Sequence, residues 1–177
     1  ISVDVTNIVL GQSFHVSDLQ LGEKITILSN ARDVLFVVAA PRSCSTLLFQ
    51  TLARSEALWS LGDEGHAIFE GHPKLSPGRG AVDSNRLTAD LLDPKLARSI
   101  PERFAIRVHD RNGRPLAPGD APVRLLEKTP KHALRIPFID ALFPDALFIH
   151  LVRDPLPNLG SIIDAWQSGR FITYPRF

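Results

Sequence analysis

At 177 residues the chain can bury one sizeable core, as a single domain or part of one. Twenty Lys and Arg against nineteen Asp and Glu leave a net charge of +1, which gives no global field for capturing nucleic acid or an anionic membrane, so any anion site must be local. A single cysteine, Cys44, excludes an internal disulfide framework and a cysteine-rich zinc site, and no apolar run approaches the roughly 20 residues that span a bilayer.

These priors predict a soluble, cytoplasmic protein with no signal-peptide layout. The absence of methionine, the opening at Ile1 and the close at Tyr174-Pro175-Arg176-Phe177 predict an excerpt of a longer chain. Residues 1–33 mix short apolar alternations, such as Ile25-Thr26-Ile27-Leu28, with Gly11 and Gly22, which predicts an N-terminal edge segment of one or two strands. Residues 34–40 form a continuous apolar run rich in β-branched residues, the signature of a strand buried on both faces. After Pro41-Arg42-Ser43-Cys44-Ser45, Leu48, Phe49 and Leu52 recur at helical spacing through about Ser55. A second strand is predicted at 58–61, followed by the polar segment Gly62-Asp63-Glu64-Gly65-His66.

Residues 72–80 read as an exposed loop, and Leu87, Leu91, Leu92, Leu96 and Ile100 as short helices broken at Pro94. Asn112-Gly113 marks a turn, and a third strand is predicted near 123–127. Thr129 and Pro130 suit the cap and first position of a helix interrupted at Pro137. A fourth strand is predicted at 146–152, then an amphipathic helix defined by Leu156, Leu159, Ile163 and Trp166. Repeated strand-then-helix units imply an α/β fold with a central parallel sheet flanked by helices, a three-layer, P-loop-like architecture.

The first strand-to-helix turn carries the strongest chemical signal. Free N–H groups and the helix dipole favour an anion there, Arg42 adds a fixed charge, and Ser43, Ser45 and Thr46 add hydroxyls. The alternative is a plain cap by Ser43 or Ser45 with Arg42 solvated. Arg153 ends the fourth strand and Ser161 lies two helical turns on, so both can converge on a second phosphate; alternatively Arg153 pairs with Asp154 at the surface. The loop lacks the Gly-Lys-Ser/Thr ending of nucleotide triphosphatases, and the six histidines show no zinc spacing.

Residues 40–47, with Val152-Arg153-Asp154-Pro155 and Ser161, resemble the two nucleotide loops of sulfotransferases that use 3′-phosphoadenylyl sulfate (PAPS). Glu127-Lys128-Thr129-Pro130 and Phe143-Pro144-Asp145-Ala146 resemble bacterial and Golgi-type members. The resemblance spans about residues 34–170. It implies that Arg42, Ser43, Cys44, Ser45 and Thr46 form the 5′-phosphosulfate loop, that Arg153 and Ser161 clamp the 3′-phosphate, and that catalysis needs no metal. Cys44 stands where the family usually has glycine. The resemblance also makes residues 34–177 a core lacking the family's C-terminal part.

On that reading sulfate passes from PAPS to a hydroxyl or amine, leaving adenosine 3′,5′-bisphosphate. Arg42 contacts the leaving phosphate, Lys128 supports the sulfuryl group, and Glu64 is the expected base, with His66 the second choice. Each has a plainer reading: Lys128 as a solvated helix-flanking lysine, Glu64 and His66 as ordinary loop residues. Lys131 and His132 suit either an acceptor pocket or a helix surface, and His109 and His150 belong to a loop and a sheet. A nucleotide-binding module without catalysis and a nucleotide kinase are the competing functions. No nucleic-acid partner is expected, and acceptor and oligomeric state are not legible.

Overall fold

The computed structural model describes residues 2–4, 34–78, 82–118, 120 and 123–169. The strands are β1 (Ser2–Asp4), β2 (Val34–Ala39), β3 (Leu58–Ser60), β4 (Arg124–Lys128) and β5 (Leu147–Val152). The helices are α1 (Ser45–Leu52), α2 (His66–Glu70), α3 (Pro94–Arg107), α4 (Ile136–Leu142) and α5 (Pro155–Gln167). The sheet order is β1-β5-β2-β4-β3 with every pairing parallel, the expected α/β architecture. Parallel strands put their carboxyl ends on one edge, so the loops after β2, β3, β4 and β5 share it. β1 lies at the outer edge; the predicted strand at 25–28 lies outside the described residues.

β2 is central because both its faces are apolar. Phe36 and Val38 join Leu125, Trp59 and residues of α2, α3 and α4 in one core, while Val37 and Ala39 join Leu126, Leu151, Leu48 and Phe49 of α1 in the other. The period of two continues along β4, so Glu127 and Lys128 leave on opposite faces. Lys128 follows Leu126 toward α1, and Glu127 follows Leu125 toward the larger core.

Three expectations are corrected. Pro94 starts a helix rather than breaking one: its ring suits the first position, and the Asp93 carboxylate caps the helix by accepting from Leu96 N–H at 2.8 Å. Pro101 sits inside α3 instead, where its missing N–H leaves the Ala97 carbonyl without its usual donor. After Thr129 the chain forms a 3₁₀ helix over Pro130–Leu134, and the break falls at Arg135, because Pro137 belongs to the first turn of α4. Finally, the apolar side of α5 faces outward: Leu156, Leu159, Ile163 and Trp166 are 79%, 55%, 49% and 64% exposed, and the residue turned inward is Asn158.

Candidate active site

The turn after β2 is built from strained backbone. Arg42 and Cys44 both take left-handed conformations, with φ of 67° and 63°, a region that side chains other than glycine enter at a cost of about 1–2 kcal/mol. Cys44 occupies the N-cap of α1 without a side-chain capping bond, and Ser43 and Ser45 are buried instead of capping. The plain-cap alternative is thus not realised, and among the described residues no side chain takes up the first-turn N–H groups at the positive end of α1.

The loop after β5 closes onto that turn. Asp154 caps α5, accepting from Leu156 N–H at 2.9 Å. Arg153 Nη1 donates to the Arg42 carbonyl at 2.9 Å, and Arg42 Nε donates to Ser161 Oγ at 3.2 Å. The Asn158 carboxamide, with its nitrogen turned to the loop, donates to the carbonyls of Pro41 and Arg42 at 3.1 Å each. The groups expected to hold two phosphates therefore form one contiguous patch. Asn158 was missed by sequence reasoning, since nothing local marks an asparagine in an apolar helix as a loop anchor.

The ends of β3 and β4 supply a chain of charges. Lys128, 5% exposed, reaches Thr46 Oγ1 at 3.3 Å and Glu64 Oε1 at 2.5 Å, so it is no solvated lysine. Glu64 Oε2 meets His66 Nε2 at 2.7 Å, and His66 Nδ1 lies 3.5 Å from Glu70 Oε1. Glu70 also accepts from Lys131 Nζ and from the fully buried Arg135, each at 2.9 Å. The His66 hydrogen bond, followed by that of Lys128 and its ammonium charge, holds the Glu64 carboxyl down at about 2 against the upward push of burial. For Glu70, burial pushes upward, yet Lys131 and Arg135 leave the carboxyl below its ordinary range.

Behind this chain lies a buried group that sequence reasoning did not assign. Glu127 Oε1 accepts from Gly65 N–H at 3.1 Å and from Thr129 Oγ1 at 2.6 Å. The same Gly65 N–H also donates to Thr129 Oγ1 at 2.8 Å. Glu127 Oε2 lies 2.6 Å from His132 Nε2, off the hydrogen-bond axis. Burial pushes the Glu127 carboxyl up, but the facing His132 and these donors leave it below the usual range.

His132 is fully buried, edge-on to Phe36 and Phe69, so it neither lines an acceptor pocket nor lies on a helix surface. Lys131 pairs with Glu70. His109 bridges to Ser60 in a loop and His150 lies in β5, as expected. Among the described residues, no group of three or more His, Cys, Asp or Glu converges as metal ligands. Likewise, no helix among them is long and apolar enough to cross a membrane.

The model of the Sulfotransferase family matches residues 34–170, which take in every loop of this site. The chain belongs to the sulfotransferase family. It is thus a transferase of the class that uses a sulfate donor. A second family model, the C-terminal domain of ribosomal protein TL5, matches residues 1–42, and residues 34–42 of that stretch also fall within the sulfotransferase match. Neither the curated proteins nor the solved structures yield a match.

Proposed function

We propose that this sulfotransferase takes its sulfuryl group from PAPS and passes it to a hydroxyl or amine, releasing adenosine 3′,5′-bisphosphate. The observation that carries the reading is the meeting of the two loops: Arg153 on the Arg42 carbonyl, and Arg42 on Ser161. The donor set fits a nucleotide with two anionic ends. The uncapped N-terminus of α1, Arg42, Ser43, Cys44 N–H, Ser45 and Thr46 suit the 5′-phosphosulfate, and Arg153 with Ser161 suits the 3′-phosphate.

In the step itself, a bond forms between the acceptor oxygen or nitrogen and sulfur, and the bond from sulfur to the bridging phosphate oxygen breaks. Arg42 and Lys128 offset the charge that collects on the departing phosphate. Glu64 receives the acceptor's proton and becomes a neutral acid, with His66 Nε2 2.7 Å from its Oε2 to orient it. While Lys128 sits on Glu64 the carboxylate is a weak base, so the donor's sulfonate must draw Lys128 away before Glu64 becomes effective. An open groove of about 350 Å³, lined by Gln50, Arg54, His109 and Arg111, starts one helical turn beyond Thr46 and offers room for an acceptor.

The test is calorimetry of adenosine 3′,5′-bisphosphate without metal, against ATP with magnesium, repeated with Arg153→Ala. Metal-free binding that weakens at least tenfold in the variant supports the reading. ATP binding that requires magnesium, with no binding of the bisphosphate, overturns it in favour of a nucleotide kinase.

A further inference from the structure

Glu64 is on a short loop between β3 and α2, with the buried Gly65 after it and the half-buried His66 beyond. Its partner Lys128 is on a rigid strand. Something must set the distance between them, and the structure offers a specific fastener. Gly65, the residue after Glu64, gives its N–H to both Glu127 Oε1 and Thr129 Oγ1, the two residues that flank Lys128. Because strand side chains alternate, Glu127 grips the loop backbone from one face of β4 while Lys128 grips the Glu64 carboxylate from the other.

The grip has no slack. A Cβ at position 65 would fall 2.7 Å from Glu127 Oε1 and 3.2 Å from Leu61 Cδ1, so only glycine lets the loop come this close. Glu127 cannot drift either: Thr129 Oγ1 donates to its Oε1 at 2.6 Å, and the fully buried His132 faces its Oε2. Phe36 and Phe69 in turn hold His132 edge-on, with ring centroids 5.6 and 4.9 Å away. A buried carboxylate is an expensive way to fill a core, and an apolar side chain would serve packing alone as well or better. What the carboxylate adds here is a charged acceptor aimed at one backbone N–H.

We infer that Glu127 is a positioning residue for sulfuryl transfer, which through the Gly65 N–H fixes where Glu64 stands relative to Lys128. This rests on the proposed role of Glu64 as base. It separates the two functions of the neighbourhood: the loops at Arg42 and Arg153 bind the donor, and the Glu127 fastener governs turnover.

The experiment uses the full chain and sulfuryl transfer from PAPS to water. Water's oxygen bonds to sulfur, the bond from sulfur to the bridging phosphate oxygen breaks, and sulfate and adenosine 3′,5′-bisphosphate leave with water's proton passing to Glu64. Release of the bisphosphate is followed in wild type, Glu127→Met, Glu127→Gln and Gly65→Ala, with bisphosphate affinity measured alongside. The expected result is a turnover loss of about 100-fold in Glu127→Met and Gly65→Ala, the size of effect that misplacing a catalytic group by about 1 Å produces. Affinity for the bisphosphate should stay within about threefold, and Glu127→Gln, which keeps an oxygen for Gly65 N–H, should recover most of the loss.

Folded variants that turn over like wild type overturn the inference, as does a parallel fall of affinity and turnover. If Glu127→Met does not fold, Gly65→Ala decides by the same readings. Hydrogen exchange in the wild type gives a test independent of activity: a Gly65 amide that exchanges at the rate of an open loop overturns the fastener, and protection of at least about 100-fold supports it. Failure of the wild type to bind the bisphosphate would instead strike the proposed function, leaving the exchange result to stand for the fastener alone.

Discussion

Lys128 Nζ lies 2.5 Å from Glu64 Oε1, with the lysine side chain 5% exposed and the glutamate 28%. The two carry opposite charges in the resting protein, and each is proposed to act only when the other lets go. Replacing Lys128 with methionine keeps the stem and removes the charge. Turnover of PAPS should fall about 10²- to 10³-fold, as expected for loss of one group that stabilises transition-state charge, while stability drops by about 1 kcal/mol because Glu64 still reaches water. Bisphosphate release and urea unfolding measure the two effects.

The same carboxylate, held by His66 and Lys128, sets an acid limit on stability. The Glu64 pKa of about 2 lies below its ordinary 4.5, so protonation opposes folding. Its stabilising contribution is fully present above about pH 4.5 and is lost as pH falls toward 2. The wild type should therefore lose about 1 kcal/mol more than Glu64→Gln between pH 4.5 and 2, a figure reduced for screening at a partly exposed group. Urea midpoints for both proteins across that window decide it; equal losses would mean that the contacts of Glu64 with His66 and Lys128 contribute nothing.

Asn158 anchors the phosphate-side turn through two backbone carbonyls. Asn158→Ala should cost about 1 kcal/mol and weaken bisphosphate binding about tenfold, since the Pro41 carbonyl loses its donor and the Arg42 carbonyl keeps only that of Arg153. Asn158→Asp should be worse, because a carboxylate would face the carbonyls of Pro41 and Arg42. Calorimetry and thermal unfolding separate the two variants.

At Cys44 the backbone carries the strain and the thiol packs at the edge of the α1 core, so a single substitution mixes both. Comparing glycine with alanine isolates the backbone. Cys44→Gly should be more stable than Cys44→Ala by about 1 kcal/mol, net of the extra freedom glycine gains when unfolded. Denaturant unfolding of the two variants gives the difference directly.

How much of this was legible in the sequence follows from how far each signal reaches along the chain. β2, β4, β5 and α1 were readable because burial on two faces or one leaves a local pattern. Arg42, Ser45, Thr46 and Arg153 stood out as candidates because a strand end feeding a helix concentrates polar residues in a few positions. Asp93-Pro94 was misread although the signal was present: an aspartate before a proline marks a helix start as well as a break. Glu127, His132 and Arg135 were not readable as a buried network, since charged residues on one segment find their partners only when the sheet assembles. The outward apolar side of α5 was beyond pattern alone, which gives a helix its stripe and leaves open what, if anything, meets it.

That outward side also gives the protein an optical asymmetry. Of its two tryptophans, Trp59 is 8% exposed beneath the Arg114 guanidinium, and Trp166 is 64% exposed on the helix that carries Asn158 and Ser161. A small quencher in solution would reach the second and scarcely touch the first. Native fluorescence thus divides into an inner component that reports whether the sheet is intact and an outer one that reports what happens along α5, with no label attached.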